Sequence, residues 1–151
     1  MSDTTSHGPL PPTIARVLSR FEAMGREEKM QALLHYSKKL EPLPERFLNI
    51  DHGNFSVPEC QTRVDLMPEY RDGTMHFYAK LNVRQSPTIA AFLAILFSAI
   101  NDQPPATTLA IPDDFVPQLM EGIGLSGREV GLNAMVGRIK RYAAQAAEAQ
   151  R

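Results

Sequence analysis

Cys60 is the only cysteine of the 151-residue chain, and it lies in Asn54-Phe55-Ser56-Val57-Pro58-Glu59-Cys60-Gln61-Thr62-Arg63-Val64. A lone thiol forms no internal disulfide and builds no cysteine-based metal site. Any chemistry it does is that of a single sulfur meeting another molecule. Proline and polar residues around it predict a loop rather than an apolar helix face. Arg63 would favour a thiolate and Glu59 would oppose it. A free cysteine is also at home as a small buried hydrophobe, and the residues alone leave these readings open.

The other chemistry-bearing residues form no comparable constellation. His7 falls in the N-terminal tail, His35 on a helix, and His76 opposite the apolar face of its strand. No pair shows metal-ligand spacing, so no metal site is expected and structural or surface roles are. His52 stands eight residues before Cys60; a Cys–His pair is set by space, not by sequence. Gly122-x-Gly124-x-x-Gly127 lacks a preceding strand and reads as a turn rather than a phosphate loop. Arg138-Lys140-Arg141 reads as a solvated helix end whose cations suit the C-terminal dipole.

The elements that must position the cysteine follow from periodicity. Pro11-Pro12 opens a helix, with Ile14, Val17, Leu18 and Phe21 at helical spacing. After Gly25 a second helix is predicted over residues 26–40, with Met30, Leu33, Leu34, Ser37 and Leu40 on one face, ended by Pro42 and Pro44. The period then changes to two. Val64 and Leu66, then Met75, Phe77, Ala79 and Leu81, alternate with polar residues around Arg71-Asp72-Gly73-Thr74, a hairpin turn signal. The connection leaves room for a bulge. Phe55 and Val57 suggest a further short strand, with Cys60 in the loop that joins it to the hairpin. Ser86-Pro87 reads as an N-cap and first helical residue of a helix to Asn101 that is apolar nearly all round, and therefore central. Gln103-Pro104-Pro105 stops it. A short helix is expected over residues 112–120. Ser126-Gly127-Arg128-Glu129 makes a capping box for a last helix to Ala147, with Leu132, Met135, Val136, Ile139 and Tyr142 on its packed face.

The chain has the size of one domain, read as a flexible tail at 1–11 and a single domain at 12–147. At this length about 68–70% of the unfolded surface is buried on folding, so no staple is required. With 16 Lys+Arg against 17 Asp+Glu, the net charge of −1 gives no electrostatic reason to expect nucleic acid or an anionic membrane as partner. The first dozen residues carry no basic flank or apolar core, so no signal peptide is read there. The longest apolar stretch, 89–97, is far short of the roughly 20 residues of a membrane helix. One unpaired cysteine and no export signal point to the reducing cytoplasm.

Val57-Pro58-Glu59-Cys60-Gln61-Thr62-x-Val64 resembles the active-site segment of SufE-type proteins, the sulfur-acceptor partners of cysteine desulfurases in iron–sulfur cluster assembly. Leu43-Pro44, Ser86-Pro87-Thr88 with its apolar helix, and Ile111-Pro112-Asp113-Asp114-Phe115 are similar too. So is Leu125-Ser126-x-Arg128-x-x-Gly131-Leu132-x-Ala134-Met135 with Arg138-Ile139-Lys140. The resemblance runs from residue 14 to residue 142. Many family members have glycine before the cysteine and an aromatic after the valine. Here stand Glu59 and Asp65, as in another branch.

The resemblance implies an α+β fold with a small antiparallel sheet, about three strands, packed against several helices. The cysteine would sit at a loop tip, tucked toward an apolar cavity. The implied function is a persulfide carrier that takes sulfur from a SufS-like desulfurase onto Cys60, stimulates that enzyme, and passes sulfur to a SufBCD-like scaffold. The pyridoxal phosphate belongs to the desulfurase, and no cofactor is expected on this chain, which is then a carrier and activator rather than an enzyme. Arg128 would stabilise a thiolate or persulfide anion or dock a partner; Gln61, Thr62 and Glu59 would shape the loop. Two other classes remain: a one-cysteine peroxidase type, which needs a thioredoxin-like βαβ scaffold, and a regulatory module in which Cys60 is inert.

Overall fold

In the computed structural model of the chain, residues 10–50, 52–125 and 127–149 are described. The order is α1 (Pro12–Glu22), α2 (Arg26–Ser37), a 3₁₀ turn at Glu45–Phe47, another at His52–Phe55, β1 (Asp65–Arg71), β2 (Thr74–Lys80), α3 (Pro87–Ile100), α4 (Pro105–Leu109), α5 (Phe115–Leu119) and α6 (Glu129–Ala149). The class is α+β, with one antiparallel hairpin among the helices.

α3 is the centre. Its sequence offers no polar stripe, and eleven of its 14 residues are buried, because α1 and α2 pack on it with the hairpin. Phe92 meets Phe115 of α5 edge-on at 6.0 Å, and Phe77 of β2 stacks on Phe97 at 6.1 Å. α6 turns Leu132, Met135, Val136 and Ile139 inward, and its half-buried Tyr142 donates to Leu66 O of β1 at 3.2 Å. The helix runs on past Arg138-Lys140-Arg141, so this run is no helix end; Lys140 pairs with Asp113 at 3.6 Å.

The hairpin turn forms where Asp72 and Gly73 accept φ of 54° and 84°, the double positive φ of the tight primed turn. Pairing is unbroken from Arg71↔Thr74 to Asp65↔Lys80, without a bulge. The third strand shrinks to one bridge, Ser56↔Asp65. Residues 52–55 coil into a 3₁₀ turn, and Pro58 has no N–H to extend a ladder. The outer edge of β2 is covered by other means. The Asn101 side chain accepts from Phe77 N at 2.8 Å and donates to Phe77 O at 3.3 Å. Met75 N donates to Gln103 O, and Asp102 N to Met75 O. His76 on this strand is held between Glu41 and Asp102.

Several elements differ from the periodic reading. α2 ends at Ser37, and its buried face is Lys29, Leu33 and Ser37, while Met30 and Leu34 stay 48% and 59% exposed. The aliphatic stem of Lys29 takes a core place because its ammonium reaches Glu121 O at 2.7 Å. α4 is an addition after the prolines; Pro105 serves as a first helical residue there. α5 is shorter than the 112–120 pattern. Ser126, the expected cap of α6, and residues 1–9 of the expected tail lie outside the described residues; Leu10 packs against the core.

Candidate functional site

The cysteine loop is pinned at its base by its own hydrophobic ends. Val57 and Val64 are buried at 3% and 0%, and Val57 N donates to Val64 O at 2.9 Å. Beyond that closure Pro58 and Glu59 are exposed, and Cys60 N returns to Val57 O at 3.2 Å, making a tight turn that leaves Cys60 half-buried. Ser86 does not cap α3. Its hydroxyl donates instead to Thr62 Oγ1 at 3.1 Å, tying the loop to the start of the central helix.

The sulfur rests against the first turn of α6. Glycine leaves room for that approach: a Cβ at Gly131 would lie a tight 3.3 Å from Cys60 Cα and 3.4 Å from its Sγ. Just before it, Gly127 holds φ of 82°, a backbone state that favours glycine, and so aims the chain through Arg128 into the helix. The Arg128 carbonyl accepts the first helical bond, from Leu132 N at 3.0 Å.

Cys60 and Arg128 line one cavity of about 270 Å³, whose floor is Ile89 and Met135. Glu59, Gln61 and Thr62 line it as well, so all five residues singled out in the sequence meet there. Arg63 does not. Its Nε bonds Asp65 Oδ1 at 2.9 Å, and that carboxylate is buried at 2%. Of the two charged neighbours weighed for Cys60, only Glu59 lines the sulfur cavity. The side chain of His52 lies outside the described residues. Gly127, Gly131, Ile89 and Met135 were missed as site residues. Gly131 carried a signal, since a glycine inside an apolar helix costs up to about 1 kcal/mol against alanine and marks a close approach.

The loop-borne thiol, the Arg128 side chain and the first turn of α6 thus border one partly apolar cavity. Among the described residues no His/Cys/Asp/Glu cluster is placed to hold a metal, and no helix is long and apolar enough to cross a membrane. Nor do they contain a parallel βαβ unit, the scaffold a thioredoxin-like peroxidase requires.

The family model for the SufE Fe-S metabolism associated domain matches residues 15–143. This chain belongs to the SufE family. Its relatives include an uncharacterized SufE-like protein of Mycobacterium tuberculosis, 32% identical over 141 residues that span 91% of this chain and 95% of the relative. An uncharacterized SufE-like protein of Synechocystis is 24% identical over 111 residues, spanning 71% of this chain and 64% of the relative. The solution structure of a hypothetical protein from Thermus thermophilus matches with a TM-score of 0.75 at 23% identity, covering 93% of this SufE-family chain and 99% of its own. That likeness concerns the fold.

Proposed function

We propose that this SufE-family protein accepts sulfane sulfur on Cys60 from a cysteine desulfurase and passes it to an iron–sulfur scaffold. The supporting observation is the placement of the chain's single thiol: at a pinned loop tip, half-buried against Gly131, in a cavity it shares with Arg128. The Cys60 thiolate attacks the terminal sulfur of the donor's persulfide. A bond forms from Sγ to that sulfur, the donor's S–S bond breaks, and the donor cysteine leaves as a thiolate. The sulfane sulfur changes hands with no external oxidant or reductant, as in thiol–disulfide exchange.

One thiol suits a carrier, because a second one nearby would resolve the persulfide into a disulfide and release sulfide. The partly closed cavity shields the loaded sulfur from oxidation, and the Arg128 guanidinium offers its charge to the persulfide anion. The pyridoxal phosphate that frees sulfur from cysteine belongs to the donor, whose turnover this protein raises by removing its product. The Glu59 and Asp65 variation bears on which donor it serves, in the reducing cytoplasm.

Intact-protein mass spectrometry tests the reading. Incubated with a desulfurase, pyridoxal phosphate and free cysteine, the chain should gain sulfur that a reductant removes, and Cys60→Ser should gain none while keeping its circular-dichroism spectrum. Absence of any gain by the wild type across several desulfurases would sink it.

A further inference from the structure

Next to the sulfur cavity lies a second and larger cleft, of about 550 Å³. Thr62 lines both it and the sulfur cavity, so an occupant of this cleft touches the wall that carries Cys60. The volume lies within the roughly 300–1,000 Å³ of ligand sites.

The rest of its lining is mostly charged or amide-bearing: Arg63, Asp65, Lys80, Asn82 and Gln85. Asp65 and Lys80 stand directly opposite in the hairpin register, where opposite charges ordinarily pair. They do not. Asp65 is buried and its Oδ1 is engaged by Arg63 Nε. Lys80 is exposed and forms no ion pair among the described residues. The Asn82 Oδ1 is occupied by Gln85 N at 3.1 Å, which leaves its two amide hydrogens. Among the described residues, the cleft thus presents one uncompensated positive charge and a set of donors, while its carboxylate is already used. That is the complement of carboxylates. An open trough of this volume, rather than a closed hole, admits an extended segment bearing them.

We propose that this cleft docks an acidic peptide segment of the protein that donates sulfur to Cys60, an inference that rests on the carrier function above. In that step Cys60 is the nucleophile, so its chain must hold the donor sulfur in line with Sγ. Charged contacts beside the reacting atoms set the encounter and its orientation.

Two measurements decide it. In the first, ¹H–¹⁵N spectra are recorded as acetyl-Gly-Glu-Asp-Glu-Gly-amide is added, with the Gln/Asn analogue as control. The acidic peptide should shift the amides of Lys80, Asn82 and Gln85, the analogue should not, and Lys80→Glu should abolish the effect. In the second, sulfur loading of Cys60 is followed against the concentration of a persulfide-charged desulfurase, in low and high salt. Lys80→Glu should raise the half-loading concentration about tenfold in low salt, less in high salt. Arg16→Glu, an equal charge change on the exposed face of α1, should stay near wild type. If the wild type loads but Lys80→Glu loads equally well, or the peptide shifts nothing, the cleft is not the donor's dock and the carrier function stands. If the wild type takes no sulfur, the carrier function fails and the docking role fails with it, whichever way the peptide behaves.

Discussion

At the scale of single residues the site depends on an absence. Gly131 has no side chain, and the first turn of α6 comes so near the Cys60 backbone and sulfur that a Cβ there would crowd both. A β-branched residue there adds bulk beside the Cys60 loop. Gly131→Val should lower the melting temperature and push Cys60 outward, so that iodoacetamide alkylates it faster than in the wild type; alkylation at the wild-type rate would show that this contact does not hold the thiol. For Arg128, which lines the same cavity, the proposed role rests on its charge. Arg128→Ala should slow sulfur loading about tenfold, in keeping with the loss of a charge-assisted contact. Lys at this position should restore only part of the rate, because an ammonium lacks the planar fork of the guanidinium. Unchanged loading in both variants would assign Arg128 to the surface.

At the scale of elements the outer edge of β2 is closed without a third strand. His76 sits there with Nδ1 2.9 Å from Asp102 and Nε2 2.7 Å from Glu41. Ionised carboxylates only accept, so both contacts are satisfied when both ring nitrogens carry protons. Burial lowers the His76 pKa, but the bonds to Glu41 and Asp102 outweigh it and the net shift is upward from 6.5. A folded pKa raised above the unfolded one stabilises the fold fully below that unfolded value. The contribution fades as pH rises through the folded value. Melting temperatures measured from pH 5 to 9, a range chosen about the ordinary histidine value, should therefore show a stability loss above about pH 6.5. His76→Gln should flatten it. An NMR titration placing His76 below its ordinary value would overturn the argument.

At the scale of the whole molecule, one apolar helix organises everything. Phe92 is fully buried and locks α3 to α5 through Phe115. Phe92→Ala should cost about 3–5 kcal/mol, read as a shift of the urea midpoint with little change in slope. A loss below about 1 kcal/mol would mean that the core closes around the gap. The same helix carries the site at its N-terminal end, where Ser86 holds Thr62 and Ile89 floors the sulfur cavity. Loop, α3 and α6 supply the pieces, so unfolding of the core and loss of the site should coincide.

The sequence by itself determined the hairpin turn, the central helix and the loop position of Cys60, because Asp-Gly tolerates positive φ, a stripe-free helix must be covered, and Pro58 resists regular pairing. The resemblance carried by the motifs around Cys60 and Arg128 was legible in the same way. Tertiary structure alone decided that Lys29 rather than Met30 faces the core, since this turned on a carbonyl in the loop at Glu121, distant in sequence. It also took Ser86 from its cap to Thr62, set Arg63 against Asp65 rather than the sulfur, and left Lys80 without an ion pair among the described residues. Periodicity reports which face is apolar. It does not report which of several available partners a polar group will meet, for that depends on chain segments brought together only by folding.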